Sequence, residues 1–349
     1  MIELTLDNIK QYLISKKLIE RTEIISVDDV DNGGFINRIF IIKIANKKKQ
    51  RSLVIKQFLD CATSCPINPR VERAKYEVEA LKLIPKYLGD EAIIPKVIFA
   101  DLKNNLFIMN EAPHKNGTYK QQILNHEFNL NIPYKIGRFH ALLHSKTFKK
   151  KEVKERLQNN PGYYDLRFEA SFKYPAEKNK RLLAKLKPFF EKMLSNKLCL
   201  IHADTTPKNI LVQADIITIV DWEAATYGDP AHDVGITFAH YIMYACNNPE
   251  KAELCLLSGK IYYETYMALK EFHVPEDKFL ENVQYNAAAM ILGRIDGRLC
   301  FTFMKHAFPV MRKIVDEFLK KKFESHDKML EYVHEVIEKN KKSKIRRKE

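Results

Sequence analysis

Three polar residues near the middle of the chain could together move a phosphoryl group: Asp204, Asn209 and Asp221. An apolar run, Leu200-Ile201, leads into His202-Ala203-Asp204. Four residues separate Asp204 from Asn209, and a second apolar run, Ile210-Leu211-Val212, follows. Twelve residues beyond Asn209 comes Asp221, inside Ile219-Val220-Asp221-Trp222-Glu223. Phosphoryl transfer needs one carboxylate that orients the acceptor hydroxyl or takes its proton. It also needs an amide and a second carboxylate to hold Mg²⁺ on the phosphates. Each of the three could instead form a turn or end a strand. That reading would have to put all three on adjacent hairpin strands by coincidence.

A phosphate donor needs partners of its own. Lys56 lies inside the apolar run Leu53-Val54-Ile55-Lys56-Gln57-Phe58. A buried ammonium is costly unless anions meet it. The α- and β-phosphates of ATP and a helix glutamate would serve, although a lysine on an edge strand can also snorkel. Glu77 is the expected glutamate, three residues from Ala74 and four from Leu81 on the inward face, whereas Glu79 turns toward solvent. In Asp31–Asn37, Gly33 and Gly34 would let backbone N–H groups approach phosphate. The same Asn-Gly pair is also a hairpin signal. Glu111 and Ala112 fall where two lobes would join, and their backbone groups are expected to read the adenine edge.

The elements around these residues follow from periodicity. Apolar positions Leu6, Ile9, Leu13 and Ile14 predict a short helix over Thr5–Ile19, capped by Thr5. The β-branched runs Thr22–Val30, Asn37–Ala45 and Arg51–Phe58 predict an antiparallel meander. A helix is expected from just after Pro69 to about Leu83, then two strands within Pro95–Asn110. Beyond Pro113 the period becomes 3.6, with a clear helix over Pro133–Ser145, a β interlude from Leu198 to Trp222 and helices after Asp233. Strands first and helices later predict an α+β chain in two lobes. The expected division is an ATP-holding lobe over 1–110, a hinge over 111–116 and a catalytic and acceptor-binding lobe over 117–337. A basic, disordered tail is expected over 338–349.

His202-Ala203-Asp204 with Asn209, and Asp221-Trp222-Glu223 after it, resemble the catalytic core of the aminoglycoside phosphotransferase and choline kinase superfamily, whose fold is protein-kinase-like. That pattern is His-Gly-Asp-x4-Asn followed by Asp-x-Glu or an Asp-Phe-Gly-like motif. Ala203 stands where Gly is usual, a departure that matters only if φ is positive there. The resemblance implies Asp204 as catalytic base, Asn209 and Asp221 as metal ligands and Glu223 as a further one. His202 becomes an anchor of the loop. Tyr227-Gly228-Asp229-Pro230-Ala231-His232-Asp233-Val234-Gly235 also matches; Asp233 can cap a helix and is implied to hydrogen-bond the catalytic loop. His-Arg-Asp, Asp-Phe-Gly and Ala-Pro-Glu are absent, so a protein kinase proper is not indicated. Lys56-Gln57, Glu72–Leu81 and Met290–Gly297 look like the methylthioribose kinase branch. That branch carries two adjacent arginines for its sugar, and only Arg294 matches, with Gly293 in the other place. The branch also commonly has Ser where Asn209 stands.

Arg294 and Arg298, four apart, are acceptor-binding candidates on one helical face, or else form a salt bridge. The expected acceptor is a small molecule with a hydroxyl, foremost a sugar such as methylthioribose or a related pentose. Choline or another amino alcohol, for which Tyr262, Tyr263 and Tyr266 could contribute to a cage, and an aminoglycoside are the alternatives. A non-catalytic nucleotide-binding module is the reading of another class, although Lys56, Asp204, Asn209 and Asp221 are all retained.

The net charge is +14, of which +5 comes from seven Lys/Arg against two Glu in residues 338–349. A basic surface can attract nucleic acid, but no basic stripe interleaved with aromatics accompanies it, so nucleic acid is not an expected partner. No long apolar run suggests a membrane span. The start has no signal-peptide pattern. Six scattered cysteines read as reduced thiols in the cytoplasm, with Cys61 and Cys65 the close pair.

Overall fold

The structure is a computed structural model that describes residues 1–30, 36–46, 49–60 and 66–345. Gly33, Gly34, Cys61 and Cys65 lie outside the described residues. The β-branched runs form an antiparallel five-stranded sheet of order β1-β2-β3-β5-β4. Its strands are β1 (Ile24–Asp29), β2 (Asn37–Asn46), β3 (Lys49–Phe58), β4 (Val97–Asp101) and β5 (Leu106–Asn110). Strand alternation assigns the faces. Phe40, Ile42, Leu53 and Ile55 bury one face under Leu4, Ile9 and Leu13. On the other face Phe58 packs with Ala74, Val78 and Leu81 of α2 (Arg73–Leu88). Lys56, two residues from Phe58, therefore turns toward α2. The N-terminal helix α1 is shorter than expected, Ile9–Ser15, and Thr5 does not cap it. The Thr5 N–H instead donates to Asn8 Oδ1 at 2.8 Å, which diverts the chain before the helix begins.

The C-terminal lobe is mostly helical. A capping box of Thr118 and Gln121 starts α3 (Tyr119–Leu124). Next come α4 (Asn131–Thr147), α5 (Lys151–Leu157), a π-helical stretch over Tyr163–Lys173, α6 (Tyr174–Glu177) and α7 (Lys180–Ser195). Two antiparallel ladders follow: β6 (Cys199–Ile201) pairs with β9 (Thr226–Gly228), and between them β7 (Ile210–Gln213) and β8 (Ile216–Ile219) form a hairpin. The chain then forms α8 (Pro230–Asn247), α9 (Ala252–Leu269), α10 (Glu276–Asp296), α11 (Phe308–Phe318) and α12 (His326–Ile345). Buried side chains occupy nearly every position of α8, which makes it the axis of this lobe. The architecture is α+β and protein-kinase-like, with two lobes. Among the described residues no helix is long and apolar enough to cross a membrane.

Two local expectations need correction. Asp229, not Asp233, caps α8, its carboxylate accepting from Ala231 N at 2.8 Å. The basic C-terminal segment is helical as far as Ile345 rather than disordered from Glu338. Met329, Val333 and Ile337 bury one face of α12, and Lys341 continues it with an ion pair to Glu250 at 2.8 Å.

Candidate active site

The loop between β6 and β7 is built around one buried carboxylate. Asp233, on the first turn of α8, accepts from the backbone N–H groups of His202 (2.7 Å) and Ala203 (2.7 Å). His144 of α4 stands 3.3 Å from the same carboxylate. Burial alone would raise the Asp233 carboxyl, but His144, His140 and His202 hold it well below the usual carboxylate range. His202 completes the turn: its Nδ1 accepts from Asp204 N (3.0 Å), so Nε2 carries the proton and meets Val220 O (3.1 Å). Burial keeps this ring neutral despite Asp233 and Asp204 nearby. Ala203 has φ = 63°, in the left-handed region where Gly is usual. Its departure from the family pattern therefore carries strain.

Asp204 emerges from this turn almost fully buried. Its Oδ2 accepts from Asn209 Nδ2 (2.8 Å) and pairs with Arg167 of the π-helical stretch, and Lys208 Nζ stands 3.9 Å away. Its Oδ1 has no partner among the described residues. Asn209 Nδ2 also donates to the Asp204 carbonyl (3.0 Å), which leaves its amide oxygen as an acceptor.

The second half of the site joins the lobes. Lys56 Nζ meets Glu77 Oε2 at 2.7 Å and Asp221 Oδ1 at 2.6 Å. Burial disfavours the ammonium, but Asp221, Glu77 and Glu223 together raise its pKa above the ordinary value. Burial pushes the Glu77 carboxyl upward, with Lys56 opposing. The Asp221 carboxyl is held low because Lys56 and Lys208 outweigh its desolvation. Asp221 itself sits at φ = 69°. Glu77 Oε1 accepts from Trp222 N (3.1 Å), and the Trp222 ring packs tilted against His202 with centroids 4.2 Å apart. That ring ties the segment after β8 to the loop between β6 and β7.

Glu223 is engaged elsewhere. Its Oε2 accepts from Arg73 Nε (2.9 Å) and Asn37 Nδ2 (3.0 Å). Carboxylate oxygens of Glu77, Asp221 and Glu223 nevertheless lie within 4.8 Å of one another. Carboxylate and amide oxygens are the hard donors that Mg²⁺ prefers. Asp221, Glu223 and the Asn209 amide oxygen are donors of this kind, with Lys56 paired to Asp221 and Arg73 to Glu223.

The remaining expected residues fall in different places. At Glu111 and Ala112 the carbonyls already meet side chains, Asn110 Nδ2 (3.2 Å) and His114 Nδ1 (2.8 Å). Glu79, expected in solvent, pairs with Arg156 of α5 at 3.0 Å. Arg294 is buried on α10, but Arg298 lies past the helix end, pairs with Glu169 at 3.6 Å and covers Tyr174. The two do not share a helical face. Tyr262 and Tyr266 are core residues that bond His140 (2.8 Å) and His144 (2.9 Å), and Tyr263 stacks on His326. They form no cage. Sequence reasoning missed Arg73, Arg167, Lys208 and the pair His140 and His144. Arg73 had a signal, since it lies four residues before Glu77 on the same helical face.

The five-stranded sheet with its inserted α2, and a helical lobe bearing the hairpin loop, define the protein-kinase-like class of folds. The chain belongs to the phosphotransferase enzyme family, APH, whose profile matches residues 69–253. The methylthioribose kinase of Bacillus cereus (strain G9842) is 26% identical over 244 residues, covering 62% of this chain and 60% of that protein. That of Bacillus mycoides (strain KBAB4) is 25% identical over 270 residues, covering 69% and 66%. The chain thus spans about 60% of the length of the first of these relatives. An ethanolamine kinase of Plasmodium vivax superposes with a TM-score of 0.52 at 15% identity, covering 94% of this chain and 86% of that one. A choline/ethanolamine kinase family protein of Mesorhizobium loti gives 0.52 at 13% identity, covering 95% and 99%. At these identities the structures share the fold.

Proposed function

We propose that the protein transfers the γ-phosphoryl group of ATP to a hydroxyl of a small metabolite. The observation that carries this reading is Lys56, buried between Glu77 and Asp221, with Lys208 standing 4.0 Å from Asp221 and 3.9 Å from Asp204. A lysine in that position exchanges part of its contact with carboxylates for the α- and β-phosphates. Glu77 keeps it aimed, and backbone groups at Glu111 and Ala112 hold the adenine. Asp221 and Asn209 would hold Mg²⁺, which neutralises phosphate charge when bound. Glu223 acts through Arg73 and Asn37 to fix the segment after Asp221. Asp204 Oδ1 accepts the proton of the acceptor hydroxyl. The acceptor oxygen bonds to the γ-phosphorus as the bond to the bridging oxygen breaks. ADP leaves, and the acceptor becomes a phosphomonoester.

The similarity to methylthioribose kinases makes a pentose-like acceptor the first to test, with choline and aminoglycosides as comparisons. A coupled ADP-release assay across these acceptors tests the reading. Acceptor-dependent release is the expected result. Nucleotide binding without turnover on any of them would favour a non-catalytic nucleotide-binding module.

A further inference from the structure

A cluster of cationic side chains lies beside Asp204, which Arg167 and Lys208 approach directly. Arg294 is 3% exposed and Arg167 is 4% exposed. A guanidinium offers five N–H donors, and these two leave most of theirs unused. Arg167 spends Nη2 on Asp204, while its Nε and Nη1 have no partner among the described residues. Arg294 makes one long bond from Nη1 to Leu299 O (3.4 Å), and its Nε has none. No acidic side chain pairs with Arg294 among the described residues.

The ring of Phe301 organises the rest. The Arg294 guanidinium lies 4.6 Å from its centroid, Lys120 Nζ lies 6.0 Å from it, and the His240 ring lies 5.9 Å away. Both nitrogens of buried His240 lack partners among the described residues. Lys120 likewise has no acidic partner there. Burial, then Arg167, lowers the Arg294 pKa to about 10. Burial and then Arg294, Arg167, Lys208 and Lys120 push His240 well below its ordinary value. The one carboxylate in the group, Asp204, is already shared by Arg167 and Lys208.

Buried charge without an opposite charge is costly, and hydroxyl groups alone would leave it uncompensated. A cationic acceptor would add repulsion. The γ-phosphate can answer Lys208, which stands 3.9 Å from Asp204 and 4.0 Å from Asp221. Arg294 belongs to α10 and has its contacts with Leu299 and Phe301, within the C-terminal lobe.

Resting on the kinase reading above, we infer that the acceptor carries an anionic group, a carboxylate or a phosphate, besides its reactive hydroxyl, and that Arg294, Arg167 and Lys120 bind it over Phe301. Such a group takes paired N–H···O bonds from a guanidinium. With the anion seated there, the neighbouring hydroxyl faces Asp204 Oδ1. Transfer then gives ADP and a phosphomonoester that keeps its original anionic group.

The test is calorimetric titration of the full-length, ADP-saturated protein with inorganic phosphate. Saturable binding is expected, weakened about tenfold or more in Arg294→Met. Lys120→Ala, a half-buried change that spares the core, is expected to weaken it as well, and Arg298→Ala to leave it unchanged. Competition then compares glycerol with D-glycerate and ribose with ribose 5-phosphate. Displacement by D-glycerate supports a carboxylate site and displacement by ribose 5-phosphate a phosphate site. No saturable binding, equal affinity in Arg294→Met and Lys120→Ala, or equal competition by the neutral compounds would overturn the inference. Binding of ADP is read in the same experiment. If ADP binds and phosphate does not, the anion site alone falls; if ADP fails to bind, the nucleotide reading falls, and phosphate titration of the free protein still reads the anion site.

Discussion

Gly293 of α10 lies against the backbone carbonyl of Ser171, so closely that a Cβ at position 293 would collide with it. This contact brings the π-helical stretch that bears Arg167 onto the helix that bears Arg294. It also means that no side chain fits at 293 unless this segment shifts. Gly293→Ala should therefore destabilise the protein by about 1–3 kcal/mol, the usual cost of overpacking. Its better helix propensity, worth about 1 kcal/mol, would offset only part of this. Urea unfolding of the variant measures the balance, and a gain in stability would show that the two elements separate at little cost.

Asp204→Asn should lower kcat roughly 10²–10⁴-fold, the range for a positioned acid–base group. ADP affinity should stay within about twofold, because Asp204 meets Arg167 and Asn209 rather than Lys56. Steady-state kinetics with nucleotide titration separates the two. Full turnover in the variant would remove Asp204 from the chemistry.

Asp221 and Glu223 should fail in different ways. Asp221→Asn should weaken Mg²⁺-dependent ATP binding at least roughly 10–100-fold, as loss of even a supporting partner does at metal sites. Glu223→Ala should leave the Arg73 guanidinium buried without its counter-charge and cost about 3–5 kcal/mol of stability. Nucleotide titration and denaturant unfolding on both variants check this. A larger binding defect at Glu223 would mean that this carboxylate is the metal ligand.

Ala203→Gly should be neutral or stabilising by up to about 1 kcal/mol. It relieves the left-handed strain of a residue with a Cβ, while the more flexible unfolded chain offsets part of the gain. Turnover should be unchanged, since Asp233 holds this turn through backbone N–H groups. A loss beyond about 1 kcal/mol would mean that the Ala203 methyl packs better than its backbone is strained.

The fold was legible because its periods were. Alternation in Arg51–Phe58 and the spacing of Ala74, Glu77, Val78 and Leu81 gave the strand, the helix and the Lys56–Glu77 pairing from local sequence. Asp204, Asn209 and Asp221 were legible as a motif. Arg167 was not, because a π-helical stretch lacks the 3.6 period and nothing local brings it to Asp204. Arg298 failed for the opposite reason: the spacing from Arg294 presumed a helix that Gly297 ends. The Asp233 shell was half legible: His202 belongs to the motif, whereas His140 and His144 come from α4 and depend on tertiary packing.

Acid should unfold the protein through buried neutral histidines. Burial lowers His326 to about 3 from 6.5, with Asp327 opposing, and His140 to about 3, with Asp233 opposing. His202, His232 and His240 shift the same way. The unfolded chain takes up these protons first. The stability linked to each histidine is therefore fully present above pH 6.5 and is lost as the pH falls toward the folded-state value. Each contributes a slope of up to about 1.4 kcal/mol per pH unit within that window. His326 suits a test because it packs between Phe238 and Tyr263, and its Nε2 has no partner among the described residues. In His326→Phe, urea unfolding at pH 7.5, 6 and 5 should show a shallower loss of stability, by about one proton's worth. An unchanged pH slope would mean that His326 is protonated in the folded state as readily as in the unfolded chain.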